Sequence, residues 1–114
     1  ADAALAPEWF TIAPNEAVRK ALKNGGLSAG QIDFFEINEA FSVVAMANQK
    51  LLDVAEDKVN PFGGAVAFGH PLGCSGARLV QSMVTGLKDR NQKYAAMGIC
   101  NGGGGASALI IENI

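Results

Sequence analysis

Tyr94-Ala95-Ala96-Met97-Gly98-Ile99-Cys100-Asn101-Gly102-Gly103-Gly104-Gly105-Ala106-Ser107-Ala108-Leu109-Ile110-Ile111 reads as two apolar, strand-like runs joined by one asparagine and four glycines. Such a connection predicts a hairpin, so the chain should end in an antiparallel pair. Working upstream, Leu79, Val80, Met83, Val84 and Leu87 recur at helical spacing opposite Arg78, Gln81, Ser82, Thr85 and Lys88. They mark a helix whose N-terminus is expected at Cys74 to Ala77. Ahead of it, residues 63–76 read as a loop holding the only histidine, one of the two cysteines and five of the 14 glycines. Loops of this composition usually carry function.

Further back, Phe34-Phe35-Glu36-Ile37 reads as a strand that delivers Asn38 and Glu39 to its C-terminal end. Ala40 to Leu52 is apolar almost all round until Asn48, which predicts a helix packed on several sides. Ala17, Val18, Ala21 and Leu22 form the buried stripe of another helix, with Pro14 in its first turn and Gly25-Gly26 as its stop. Ser28 and Gln31 have the spacing of a capping box. Asp53 to Asn60 reads as a charged connector closed by Pro61, and residues 1–13, with Pro7 and Trp9, as an irregular lead-in. Helices alternating with strands give the α/β class in one domain spanning residues 1–114, with the antiparallel pair last.

The chain is 49% hydrophobic and 18% charged, with a net charge of −2 and no basic or acidic run. This argues against a nucleic acid partner. No apolar stretch reaches the ~18 residues of a membrane span. The first twenty residues include Asp2 and Glu8 and no basic segment, so no secretory signal is expected. Two cysteines without an export signal suggest a reducing compartment, taken as the cytoplasm with an organelle left open. Absence of an initiator methionine and the high apolar fraction suit a fragment with a large surface awaiting a partner.

His70 is the one side chain whose ordinary pKa lies near neutrality. A lone histidine is more often structural, but the flanking Gly69 and Gly73 permit close substrate approach. A helix starting nearby also aims N–H groups at the same place. Cys100, at a strand end before the glycine run, is either a small buried hydrophobe or a thiolate base or nucleophile, with Gly102 donating to an oxyanion. Cys74 reads as a packing residue. Asn38 is either a helix cap or a group that holds a water against a carbonyl. Gly73-Cys74-Ser75-Gly76 lacks the spacing of a nucleophile elbow, and Gly102 to Gly105 lacks the residues of a phosphate loop. Zinc would need His70, Cys74 and Cys100, whose spacing is unlike that of zinc proteins, so no metal is expected.

In order and approximate spacing, Asn38-Glu39-Ala40-Phe41, Gly69-His70-Pro71-Leu72-Gly73-Cys74-Ser75-Gly76 and Cys100-Asn101-Gly102-Gly103-Gly104 resemble the C-terminal half of the thiolase family. The similarity covers nearly the whole chain and is greatest to the biosynthetic acetoacetyl-CoA branch of eukaryotic cytosol. It implies a three-layer α/β half with a mixed sheet that lacks its first strand and so exposes an edge. It also implies an acyltransferase that joins two acetyl-CoA molecules into acetoacetyl-CoA and CoA, or the reverse. By resemblance Cys100 exchanges the proton next to the thioester carbonyl, while His70 activates the nucleophilic thiol and donates to an oxyanion. Asn38 orients a water, and the Gly102 N–H serves a second oxyanion site. Phe41, Gly69 and Gly103 are expected to contact substrate. CoA thioesters are then substrates, with no cofactor or prosthetic group, and the intact enzyme a homo-oligomer.

The acyl-accepting cysteine of thiolases belongs to the N-terminal half, which has no counterpart in these residues. That half is therefore the expected protein partner, and the chain by itself is expected to be inactive. A rival reading keeps the fold but makes it a non-catalytic module that pairs through the exposed sheet edge. A second rival, a small hydrolase using His70 and Cys100, lacks an orienting carboxylate.

Overall fold

A computed structural model describes all 114 residues. The lead-in is not irregular throughout, because Asp2–Ala4 forms strand β1 and Pro7–Ile12 a 3-10 turn. Helix α1 spans Ala13–Gly25 and ends at Gly26, whose φ of 66° is the left-handed stop expected of the glycine pair. The predicted capping box follows, with the Ser28 N–H donating to Gln31 Oε1 at 2.9 Å. Strand β2 is Phe34–Ile37, and helix α2 is Ser42–Leu52.

Helix α2 is not packed all round as its apolar sequence suggested. Val43 and Met46 are exposed, and its buried residues are Val44, Ala45, Asn48 and Leu52. The loop of residues 63–76 also holds more helix than expected. A single turn, α3, covers Ala65–Phe68, and helix α4 runs over Leu72–Asp89. Pro71 accounts for the early start of α4: its φ of −70° suits a helix entry. Its carbonyl accepts the first bonds, from the Cys74 and Ser75 N–H groups at 2.8 and 3.0 Å. Strands β3, Tyr94–Cys100, and β4, Gly105–Glu112, complete the predicted hairpin.

The four strands form one mixed sheet in the order β1-β4-β3-β2. Strands β2 and β3 are parallel, while β4 runs antiparallel to both β3 and β1. At one edge of the sheet, β1 pairs only with Gly105, Ala106 and Ser107. Beyond Ala108 the outer side of β4 has no strand beside it. The opposite edge is covered by a single parallel bridge from Phe35 to Val59 and by Asn60. The Asn60 side chain imitates a strand there, accepting from the Ile37 N–H at 2.8 Å and donating to the Ile37 carbonyl at 2.9 Å.

Helices α1 and α2 cover one face of the sheet, burying Val18, Ile32, Phe35, Ile37 and Val44. Helix α4 covers the other with Leu79, Met83 and Leu87 against Phe34, Ala95 and Met97. The result is the expected three-layer α/β arrangement. Each fully buried large side chain of this kind contributes ~1.5–3 kcal/mol. Because side chains alternate across a strand, Phe34 on the α4 face is followed two residues later by Glu36 and then Asn38. A buried carboxylate and a buried amide therefore sit above an apolar core, at the C-terminal end of β2. No helix is long and apolar enough to cross a membrane.

Candidate active site

Three segments lie at the C-terminal ends of the parallel strands: the end of β2, the loop before α4, and the hairpin turn between β3 and β4. Asn38 is fully buried and is fixed to the neighbouring strand by its N–H, which donates to the Gly98 carbonyl at 2.9 Å. It does not cap α2, whose N-cap is Phe41 with no side-chain cap bond. Instead its Nδ2 lies 3.3 Å from His70 Nε2, and its Oδ1 is buried with no hydrogen-bond partner. An orphaned buried acceptor costs ~1–3 kcal/mol, so it is a natural place for a bound water or a substrate donor.

The other ring nitrogen of His70, Nδ1, is 2.6 Å from Ser75 Oγ, which also reaches the Pro71 carbonyl at 3.2 Å. Ser75 is fully buried. Both edges of the imidazole are thus occupied by neutral groups, and Gly69, at φ 86°, gives the chain the turn that presents the ring. Sequence reasoning passed over Ser75. The available signal was its position in the first turn of α4, five residues after the histidine.

Glu39 has a definite task that the sequence left open. Its carboxylate accepts from Asn60 Nδ2 at 3.0 Å and from the Val66 N–H at 2.9 Å. This ties the loop that carries His70 to the end of β2. Gly64 permits the approach, since a Cβ there would lie 2.5 Å from the Glu39 carboxyl.

Cys100 emerges at the same end of the sheet, on β3. Its side chain packs partly against the α1 and α2 core, and no hydrogen bond joins it to His70 or Asn38. Half-burial pushes its thiol up from the ordinary value, opposed in part by a backbone hydrogen bond. It therefore rests as a thiol, and a thiolate formed there is a stronger base than one in water.

The turn after Cys100 is organised by Asn101, also missed from sequence. Its Oδ1 accepts from the N–H groups of Gly103 at 3.1 Å and Gly105 at 3.3 Å. Its own N–H bonds to the Gly105 carbonyl, and the Gly104 N–H bonds to the Asn101 carbonyl. Of these five residues only Gly102 has an N–H without an acceptor. Gly104, at φ 93°, packs so closely on the Leu5 carbonyl that a Cβ would not fit, which anchors the turn from behind. Among the expected substrate contacts, Phe41 is exposed at the rim, edge-on to Phe10 at 6.3 Å, and Gly69 and Gly103 are exposed. The Gly103 N–H, however, is already taken by Asn101. Cys74 is exposed on the first turn of α4, and nowhere do three acidic, histidine or cysteine side chains converge as a metal site would need.

A family model described as thiolase, C-terminal domain, matches residues 1–113. The chain belongs to the thiolase family. It is 59% identical over 113 residues to the cytosolic acetyl-CoA acetyltransferase ERG10 of Gibberella zeae, matching 99% of this chain and 28% of that protein. It is 60% identical over 111 residues to acetyl-CoA acetyltransferase 2 of Arabidopsis thaliana, 97% of this chain and again 28% of the relative. Among solved structures, the Acat5 thiolase of Ascaris suum in complex with coenzyme A superposes with a TM-score of 0.93 at 46% identity. That match covers 100% of this chain and 29% of the other. Human mitochondrial 3-ketoacyl-CoA thiolase gives 0.96 at 41% identity, covering 99% and 29%. This thiolase chain thus spans less than a third of the length of the relatives it matches.

Proposed function

We propose that this chain is the C-terminal catalytic part of an acetyl-CoA C-acetyltransferase. It would condense two acetyl-CoA molecules into acetoacetyl-CoA and CoA, or run the reverse. The observation that carries the reading is the direct contact of buried Asn38 with His70, in a chain 59% identical to an acetyl-CoA acetyltransferase. In the proposed reaction the N-terminal half supplies a cysteine thiol, and His70 removes its proton. The resulting thiolate attacks the first acetyl thioester and expels CoA. Cys100 gives its proton to the departing CoA thiolate and, now a thiolate itself, takes one from the methyl carbon of the second acetyl-CoA. The enolate carbon so formed attacks the acyl cysteine, making the new carbon–carbon bond and releasing the nucleophile as a thiolate, which recovers its proton from His70.

Each residue supplies what its step requires. An acetyl thioester is a weak carbon acid, so its deprotonation needs both a strong base and donors aimed at the developing oxyanion. Burial makes the Cys100 thiolate more basic than a free one. The His70 Nε2 edge and a water held by Asn38 serve the enolate oxygen, while the free Gly102 N–H serves the tetrahedral oxyanion. Phe41 and Gly69 border the substrate, and Gly103 shapes the turn. No metal or prosthetic group enters these steps. The cytosol is the proposed compartment, as in the name of the Gibberella relative, and the intact enzyme is proposed to be a homo-oligomer.

The test is CoA-dependent cleavage of acetoacetyl-CoA by the purified chain, alone and with a separately expressed thiolase N-terminal half. Activity in the mixture alone is the expected result. Cleavage by the isolated chain would refute the assignment of the nucleophile to the other half. Silence in both, with folding confirmed, would favour the non-catalytic module.

A further inference from the structure

We infer that Ser75 is a positioning residue that holds His70 in the Nδ1–H tautomer, leaving Nε2 unprotonated as the base. The inference deepens the proposed function and rests on its reading of His70 as the acid–base group. A neutral imidazole has one proton for two ring nitrogens, and here both nitrogens are engaged. At Nε2 the partner is Asn38 Nδ2, a group that can only donate, 3.3 Å away. Nε2 must therefore offer its lone pair, and the proton belongs on Nδ1.

At Nδ1 the partner is Ser75 Oγ at 2.6 Å, and a hydroxyl adapts to either direction by rotating. It has a second acceptor within reach in the Pro71 carbonyl at 3.2 Å. With its own proton turned to that carbonyl, Oγ presents a lone pair to Nδ1–H. One chain of bonds then runs from Asn38 through the ring to Ser75 and on to Pro71 without a clash of donors. The serine is suited to this because α4 begins one residue after His70-Pro71, which brings the first turn back over the ring. It is fully buried, so water does not compete for the bond.

The arrangement has a consequence when Nε2 takes a proton. The ring becomes a cation with N–H groups on both edges. Nδ1–H keeps its bond to Ser75, whereas Nε2–H now faces the Asn38 amide, donor against donor. That contact must open, and Nε2–H is released toward whatever oxyanion lies in front of it. Ser75 thus keeps the ring oriented through both protonation states.

His70 is the only histidine, so the ring nitrogens of a uniformly nitrogen-15-labelled chain give one pair of resonances, whose two-bond proton correlations identify the tautomer directly. With the ring neutral, the wild-type chain should show Nδ1–H as the dominant form. In Ser75→Ala the Nδ1–H to Nε2–H ratio should fall about tenfold, the worth of one net hydrogen bond, with the backbone amide spectrum preserved. Asn38→Leu, which removes the partner on the other edge but not the serine, should leave Nδ1–H dominant. A wild-type spectrum dominated by Nε2–H would overturn the inference whatever the variants do. A tautomer that follows Asn38→Leu and ignores Ser75→Ala would also overturn it. These spectra need no substrate or partner, so failed reconstitution of activity would count against the proposed function alone.

Discussion

Replacing Glu36 by glutamine should change how the stability of this chain depends on pH. Glu36 is fully buried beneath the site, two residues before Asn38 on the same face of β2. Its nearest cation is Arg78 on α4, whose Nη1 is 3.9 Å from Oε2, too far for a hydrogen bond. Neither Glu36 oxygen and none of the three Arg78 guanidinium nitrogens has a hydrogen-bond partner. Loss of water pushes the Glu36 carboxyl up from 4.5 to about 7; Arg78 draws it back, and the Glu39 carboxylate adds to the rise. The folded chain therefore holds a proton that the unfolded chain has released. Stability from this proton is fully present below about pH 4.5 and is lost as pH rises through about 7. At about 1.4 kcal/mol for each pKa unit, the whole effect is about 3 kcal/mol, and about 2.5 kcal/mol falls between pH 5 and 8.5. Glutamine keeps the shape of the protonated acid and cannot ionise. Urea unfolding followed by far-ultraviolet circular dichroism at the two pH values gives the comparison. Relative to wild type, Glu36→Gln should be more stable at pH 8.5 than at pH 5 by about 2.5 kcal/mol. Parallel pH profiles for the two proteins would refute the reasoning, because they would mean that the carboxylate is adequately solvated or paired when charged.

Cys100→Ala in the reconstituted enzyme should lower acetoacetyl-CoA cleavage by ~10²–10⁴-fold with unchanged helix content, the range for losing a positioned proton-transfer group; full activity would exclude its assigned role. Iodoacetamide at pH 8 should label exposed Cys74 well before Cys100, and labelling at Cys100 should accelerate as pH rises, since burial holds its thiol up; peptide mass spectrometry reads the order. Gly64→Ala should cost ~1–3 kcal/mol in urea unfolding, because the new methyl group displaces the Glu39 carboxyl that ties down the loop. Asn101→Ala removes two turn hydrogen bonds and should cost about 1–2 kcal/mol. Unlike a loss of stability alone, release of the Gly103 N–H from its bond should also appear as faster amide exchange there.

How far the sequence could be read depended on whether a feature was written in local pattern. The terminal hairpin, α1 with its Gly26 stop, and β2 all lie where periodicity or glycine chemistry is decisive. Strand β1 was not legible because three residues carry no period, and Asp2–Ala4 is a strand only because β4 lies beside it. The exposed side of α2 was hidden for the opposite reason. An apolar helix looks alike whether its second face meets the same chain or awaits another. In the site, His70, Cys100 and Asn38 stood out by rarity or position, but the groups that organise them did not. Ser75, Asn60 and Asn101 act across a turn or a sheet edge, and a common polar residue carries no mark of the backbone group it will meet.

Those organising residues share a physical logic. The working groups are a histidine and a thiol, each of which must change charge during the proposed chemistry, so a fixed charge nearby would bias one state. Neutral amides and a hydroxyl shape the loops without that bias. Asn60 seals the β2 edge, Asn101 gathers the glycine turn, and Ser75 holds the imidazole. Farther out, Asn48 pins α1 to α2, accepting from the Asn15 N–H at 2.6 Å and donating to the Thr11 and Val44 carbonyls. The one carboxylate at the rim, Glu39, is held by two N–H donors. The one buried beneath the site, Glu36, has its carboxyl pushed up to about 7 by burial, so about half of it is protonated near pH 7. Raising that carboxyl toward neutrality serves the same end as building the loops from amides: less fixed charge lies under the groups that must change charge.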